Sequence, residues 1–123
     1  MTVVLWILQI LLALVFLASG VFKLVRSKEE LLPTVPALAP FRPVTIKAVA
    51  LAEVLGAVGV VVPMLTGVAP GLVPWAALGL GCVALGAAVA HAEQRDYKLL
   101  PAHAVLLAMA VAVMVGRSAD LPL

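Results

Sequence analysis

The sequence predicts an all-α fold, an integral membrane bundle of four transmembrane helices with up-down threading. Two observations carry this. The 123 residues are 65% hydrophobic and 11% charged, and the apolar residues fall in long blocks instead of at the spaced positions of an amphipathic soluble helix. Four blocks reach the roughly 20 residues needed to cross the hydrocarbon, at 3–25, 46–66, 68–90 and 99–116. The polar chain left between them is too short for another domain, so residues 1–123 read as a single four-helix unit.

The first span, 3–25, has no basic leader and is longer than the about 7–15 apolar residues of a signal-peptide core, so it reads as a retained helix. The connection 27–45 carries Pro33, Pro36, Pro40 and Pro43, which deny it a continuous helix. It also carries Leu31, Leu32, Leu38 and Phe41, which disfavour free excursion into water. It is expected to rest on the inner membrane surface, either as a lid over the helix ends or as an irregular link. The second span, 46–66, holds Glu53 and a row of small residues, Ala48, Ala52 and Gly56. A tight turn near Gly67 leads to the third span, 68–90, with Ala77, Gly81, Ala84 and Ala88 as its small-residue row. A polar turn through Glu93, Gln94, Arg95, Asp96 and Tyr97 precedes the fourth span, 99–116. One cysteine, Cys82, excludes an internal disulfide and any cysteine metal motif, and it reads as a small apolar filler.

A net charge of +2 and a pI near 9.0 would suggest nucleic acid in a soluble protein. Here the basic residues sit at helix ends and in short loops, so they set topology and no nucleic-acid partner is expected. Of the eight lysines and arginines, Lys23, Arg26, Lys28, Arg42 and Lys47 flank the first connection and Arg95 and Lys98 the third. Only Arg117 falls on the opposite side. The positive-inside rule then places the first and third connections in the cytoplasm and both termini outside it, in a chain integral to the cell membrane. Trp6 and Trp75 fall at the outer interface as aromatic anchors, with Phe41 and Tyr97 near the inner one.

An ionisable group in a span costs a few kcal/mol on insertion scales and asks for a partner or a purpose, roughly ~3 kcal/mol each at the helix centre. Lys23, Glu53, His91 and His103 come from four different helices, and up-down threading brings all of them to one half of the bundle. Glu53 lies about 9 Å deeper than Lys47, too deep for a short side chain to reach water easily. It is either one half of a structural ion pair with Lys23 or a carboxylate that binds or protonates a ligand. His91 reads as a cap on a helix C-terminus or as a site residue, and His103 as a headgroup-facing residue. The two histidines flank one short turn, which does not suit opposed haem ligands, and no metal site is expected. At about 100° per residue, Phe16, Gly20 and Lys23 share one face of the first helix, and Glu53 and Gly56 share one of the second. The expected ligand pocket is therefore Phe16, Gly20, Lys23, Glu53, Gly56 and His91, with Glu53 and His91 as candidate catalytic groups if a reaction occurs at all.

The runs Phe16-Leu-Ala-Ser-Gly20-Val-Phe-Lys23-Leu, Glu53-Val-Leu-Gly56-Ala-Val-Gly59 and His91-Ala-Glu-Gln-Arg95-Asp96 resemble, in order and spacing, the DoxX-like family of small four-helix membrane proteins. The resemblance spans nearly the whole chain. It implies an accessory or anchor subunit of a membrane redox system, linked to quinone or thiols, with a small lipophilic pocket. Quinone is the cofactor to expect, if any, and a soluble or membrane redox protein is the partner to expect beside lipid. The alternative is a stand-alone assembly or small-molecule-binding protein whose polar cluster is structural. A small proton-coupled transporter fits less well, because that class places its essential glutamate in the first helix. An intramembrane isomerase using Glu53 as acid or base remains open, as does a homo-oligomer.

Overall fold

The computed structural model describes residues 2–120. Its helices are α1 (Thr2–Val25), α2 (Lys28–Leu31), a 3-10 turn (Pro36–Leu38), α3 (Pro43–Gly59), α4 (Val62–Thr66), α5 (Leu72–Glu93) and α6 (Leu100–Asp120), with no strand among the described residues. Four stretches are long and apolar enough to cross a membrane: Thr2–Val25, Pro43–Thr66, Leu72–Glu93 and Leu100–Ala119.

The limits differ from the sequence reading where proline and glycine act at helix ends. Pro43 does not belong to the irregular connection; it opens α3 near its first position, where its missing N–H is not needed and its fixed φ suits the helix. The second span is not one helix. Pro63 cannot donate to the carbonyl one turn back, and the backbone breaks at Val60 and Val61 before resuming as α4. Gly67 ends α4 with φ 74°, a conformation that favours glycine. The third span starts at Leu72 instead of residue 68, because Ala69, with φ 50°, and Pro70 form the turn. The last helix runs past Gly116 and so carries Arg117 inside the bundle.

Helix α1 packs against α3 and α6, and α5 packs against α3 and α6, closing a ring of four. Leu12, Phe16, Ala57, Val60, Ala77, Leu80, Ala84 and Val113 fill its centre. Large apolar side chains such as Val3, Ile7, Leu14, Leu55, Val105 and Val115 point outward. In water that surface would drive aggregation; against lipid tails it costs nothing, and the chain is an integral membrane protein.

Since lipid gives helices no hydrophobic reason to associate, close backbone approach supplies the packing. A Cβ on Gly20 would stand 2.8 Å from the Ala50 carbonyl oxygen and 3.1 Å from the Val54 nitrogen, so α1 and α3 touch backbone to backbone. The α5 row holds, with Ala77, Gly81 and Ala84 buried. The α3 row does not: Ala48 and Ala52 face outward, and the buried face is Ile46, Ala50, Glu53 and Ala57.

The connection after α1 is ordered by polar contacts. Ser27 and Glu30 form a capping box at the start of α2; these hydrogen bonds hold the exposed Glu30 carboxyl below its ordinary value. Lys28 Nζ donates to the carbonyls of Ala39 at 2.8 Å and Phe41 at 2.7 Å, tying both ends of the segment together. Lys47 Nζ donates to the carbonyls of Lys23 at 2.5 Å, Leu24 at 3.2 Å and Arg26, and so closes the open C-terminus of α1.

Candidate functional site

Where α1 ends, α3 begins and α5 and α6 meet, the helices stand apart and leave a cavity of about 500 Å³. The connection covers it: Val35, Ala37, Leu38 and Phe41 line the roof, while Leu31 and Ala37 are buried beneath the segment's own surface. Gln94, just after α5, donates Nε2–H to the Ala37 carbonyl at 2.7 Å and pins that roof to the bundle.

The walls are mostly apolar, contributed by Ile46 and Val49 of α3 and Val83, Gly86, Ala87 and Ala90 of α5. Four ionisable residues interrupt them. Lys23 Nζ donates to Glu53 Oε1 at 2.8 Å, an ion pair in which the lysine side chain is 18% exposed and the glutamate 1%. The other carboxylate oxygen, Oε2, is buried and has no hydrogen-bond partner among the described residues. Burying a polar atom unpaired costs about 1–3 kcal/mol, more when it is charged, so this oxygen is the least satisfied group in the cavity wall.

His91 is held by the way α5 ends. Arg95 takes φ 56°, Arg95 N–H returns to Ala92 O at 3.0 Å and Asp96 N–H to His91 O at 2.9 Å, a Schellman motif closed by a non-glycine residue. That turn lays Asp96 over the ring, and His91 Nδ1 meets Asp96 Oδ2 at 3.2 Å. His103 donates Nδ1–H to the Leu99 carbonyl at 2.8 Å, and its ring lies 5.0 Å from that of His91, centroid to centroid. Both imidazoles thus use Nδ1 on the protein and keep Nε2 to offer. No group of three or more His, Cys, Asp or Glu among the described residues is placed to hold a metal ion.

Of the six residues expected in the pocket, the structure brings Lys23, Glu53 and His91 to one cavity. Phe16 is buried in the core instead, Gly20 is the close contact between α1 and α3, and Gly56 lies under Leu80. Phe16 and Gly56 sit about a turn further from the roof than Ser19 and Glu53, the deepest lining residues of their helices, whereas Gly20 lies at cavity depth between Ser19 and Lys23 but faces α3. His103, Ser19, Thr45 and Cys82, which also line it, were not expected there. The signal for His103 was its place one turn after the same polar link that closes α5.

A second polar cluster lies toward the opposite ends of α1 and α3. Gln9, fully buried in the first span, donates Nε2–H to the Val60 carbonyl at 2.7 Å and accepts from Arg117 Nε at 2.7 Å. The Arg117 guanidinium lies 5.7 Å from the Trp6 ring centre, a cation–π distance. Trp6, expected as an interface anchor, is half-buried against this charge.

The model of the DoxX-like family matches residues 7–113. The chain belongs to the DoxX-like family. The match spans α1 through most of α6 and so takes in every ionisable residue of the cavity. No curated protein and no solved structure matches this DoxX-like chain.

Proposed function

We propose that this DoxX-like protein binds a small lipophilic molecule within the membrane and serves as an accessory subunit of a membrane redox system. The observation that supports binding is the roofed cavity of about 500 Å³, apolar except for Lys23, Glu53, His91, His103 and the hydroxyls of Ser19 and Thr45. That volume suits a molecule of drug or lipid-head size. An apolar chamber with a few convergent polar groups fixes one end of a ligand while the rest gains from leaving water. The redox setting comes from the family resemblance, in which quinone is one ligand of fitting shape. By the distribution of basic residues the roof faces the cytoplasm, on the side where a soluble oxidoreductase would dock.

The test is purification in mild detergent followed by mass spectrometry of the extracted lipophiles and of the proteins retained. A stoichiometric lipophile together with an oxidoreductase is the expected result. A lipophile without any redox partner would leave a stand-alone binding protein. Recovery of no lipophile and no oxidoreductase would refute the proposal.

A second reading is favoured by the 2.8 Å contact between Lys23 and Glu53: the pair neutralises itself and fixes α1 against α3 without a ligand. On that reading the protein assembles or escorts partners, and replacing both residues by methionine leaves its cellular function intact.

A further inference from the structure

The polar inventory of the cavity is lopsided. Glu53 Oε2 is a buried acceptor without a donor, in a residue 1% exposed. His91 and His103 spend Nδ1 on Asp96 and on the Leu99 carbonyl, so in their neutral forms Nε2 of each is a second and third acceptor. Lys23, the strong donor lining the same space, gives one of its three N–H groups to Glu53 Oε1 and none to Oε2. Ser19 and Thr45 hydroxyls can act either way and do not alter the balance.

An acceptor buried without a donor among the described residues selects ligands that bring one. We propose that this cavity takes lipophilic molecules carrying a free hydroxyl, a phenol or an alcohol, in preference to the same skeleton with that oxygen capped or oxidised to a carbonyl. A carbonyl could accept from Lys23 but would leave Glu53 Oε2 unmet. An ammonium would bring a second positive charge beside Lys23, which already neutralises Glu53 at 2.8 Å. A neutral hydroxyl fits both conditions, and its hydrogen bond to a charged oxygen is stronger than a neutral one. The selection rests on the cavity being a ligand site, as proposed above, and narrows it to a chemical class: for a redox pair, the hydroquinol and not the quinone.

The probes are 4-hexylphenol and 4-hexylanisole, equal in shape apart from the methyl that removes the donor. Binding to the purified full chain in detergent is followed by native mass spectrometry across a concentration series. The phenol should bind at least about tenfold more tightly, the factor that 1.4 kcal/mol makes and the lower end for a hydrogen bond to a charged group. In the double variant Lys23→Met with Glu53→Met, which removes both charges and leaves none buried alone, the ratio should fall to about threefold or less. Equal affinities in the parent, or a ratio unchanged in the double variant, would overturn the selection while leaving a ligand cavity standing. Binding of neither probe would overturn the ligand reading itself and the selection with it.

Discussion

Gly20 offers a quantitative test, because the sequence places it in a binding pocket and the structure places it between two backbones. Adding a methyl by Gly20→Ala sets a Cβ 2.7 Å from Val54 Cγ2, 2.8 Å from the Ala50 carbonyl oxygen and 3.1 Å from the Val54 nitrogen. The valine Cγ2 can move only by leaving its preferred helical χ1; the two backbone atoms belong to the middle of α3 and cannot move alone. Gly79, on α5, has nothing within 4 Å of the equivalent position. Both substitutions gain the same helix propensity, about 1 kcal/mol in water, so the difference between them isolates the overpacking. Overpacking costs about 1–3 kcal/mol, and rigid neighbours put Gly20 in the upper half of that range. Gly56→Ala falls between, since its Cβ meets only side-chain atoms, Leu80 Cδ2 at 2.5 Å and Cγ at 2.9 Å, and no backbone. Reversible unfolding in mixed micelles would rank the three. Gly20→Ala as stable as Gly79→Ala would refute the backbone contact, and unchanged stability with lost ligand binding would return Gly20 to the pocket.

The Lys23 and Glu53 pair should behave as a unit: Lys23→Glu alone should cost about 3–5 kcal/mol by leaving buried charge uncompensated, and adding Glu53→Lys should recover part of it in the same unfolding assay. At the other end, Gln9→Leu should cost about 1–3 kcal/mol by stranding the Val60 carbonyl, and the double variant with Arg117→Met should cost less than the two single changes together. The capping box predicts a local pH effect. Because the folded Glu30 carboxyl lies below its ordinary 4.5, the contribution of the box is complete above that value and is lost as pH falls through the lowered one. Protection of the Ser27 amide from exchange should therefore collapse only on strong acidification, and Glu30→Gln should abolish the pH dependence. Finally, a C-terminal reporter active only in the cytoplasm should be silent, and an active one would reverse the predicted orientation.

The four spans were legible because the membrane imposes a length and a composition that a one-dimensional pattern records. The convergence of Lys23, Glu53 and His91 was legible for the same reason: depth follows from residue count along a helix. What the pattern could not supply was the distance between helices. Phe16 and Gly56 share angular faces with the polar residues, yet the helices touch at their level and part only nearer the roof, while Gly20, at cavity depth, faces α3; side-chain volumes on neighbouring helices decide both. Arg117 was hidden by the expectation that α6 ends at Gly116. Nothing in one helix announces that a glutamine on another, Gln9, will receive its charge. The interruption of α3 was visible in Pro63, but its use, freeing the Val60 carbonyl for Gln9, needed the third dimension.

The lysines of the first connection have a consequence for how the protein is made. In the folded chain Lys23 is paired with Glu53, Lys28 with two loop carbonyls and Lys47 with the end of α1. Three of the charges expected to bias orientation are therefore engaged within the protein once it is assembled. On the positive-inside reading they act on orientation during insertion, before α3 has come beside α1. Orientation and final packing thus draw on the same ammonium groups in succession. A substitution such as Lys47→Gln would then act twice, weakening the signal that orients the nascent helix and later leaving the carbonyls at its end without a donor.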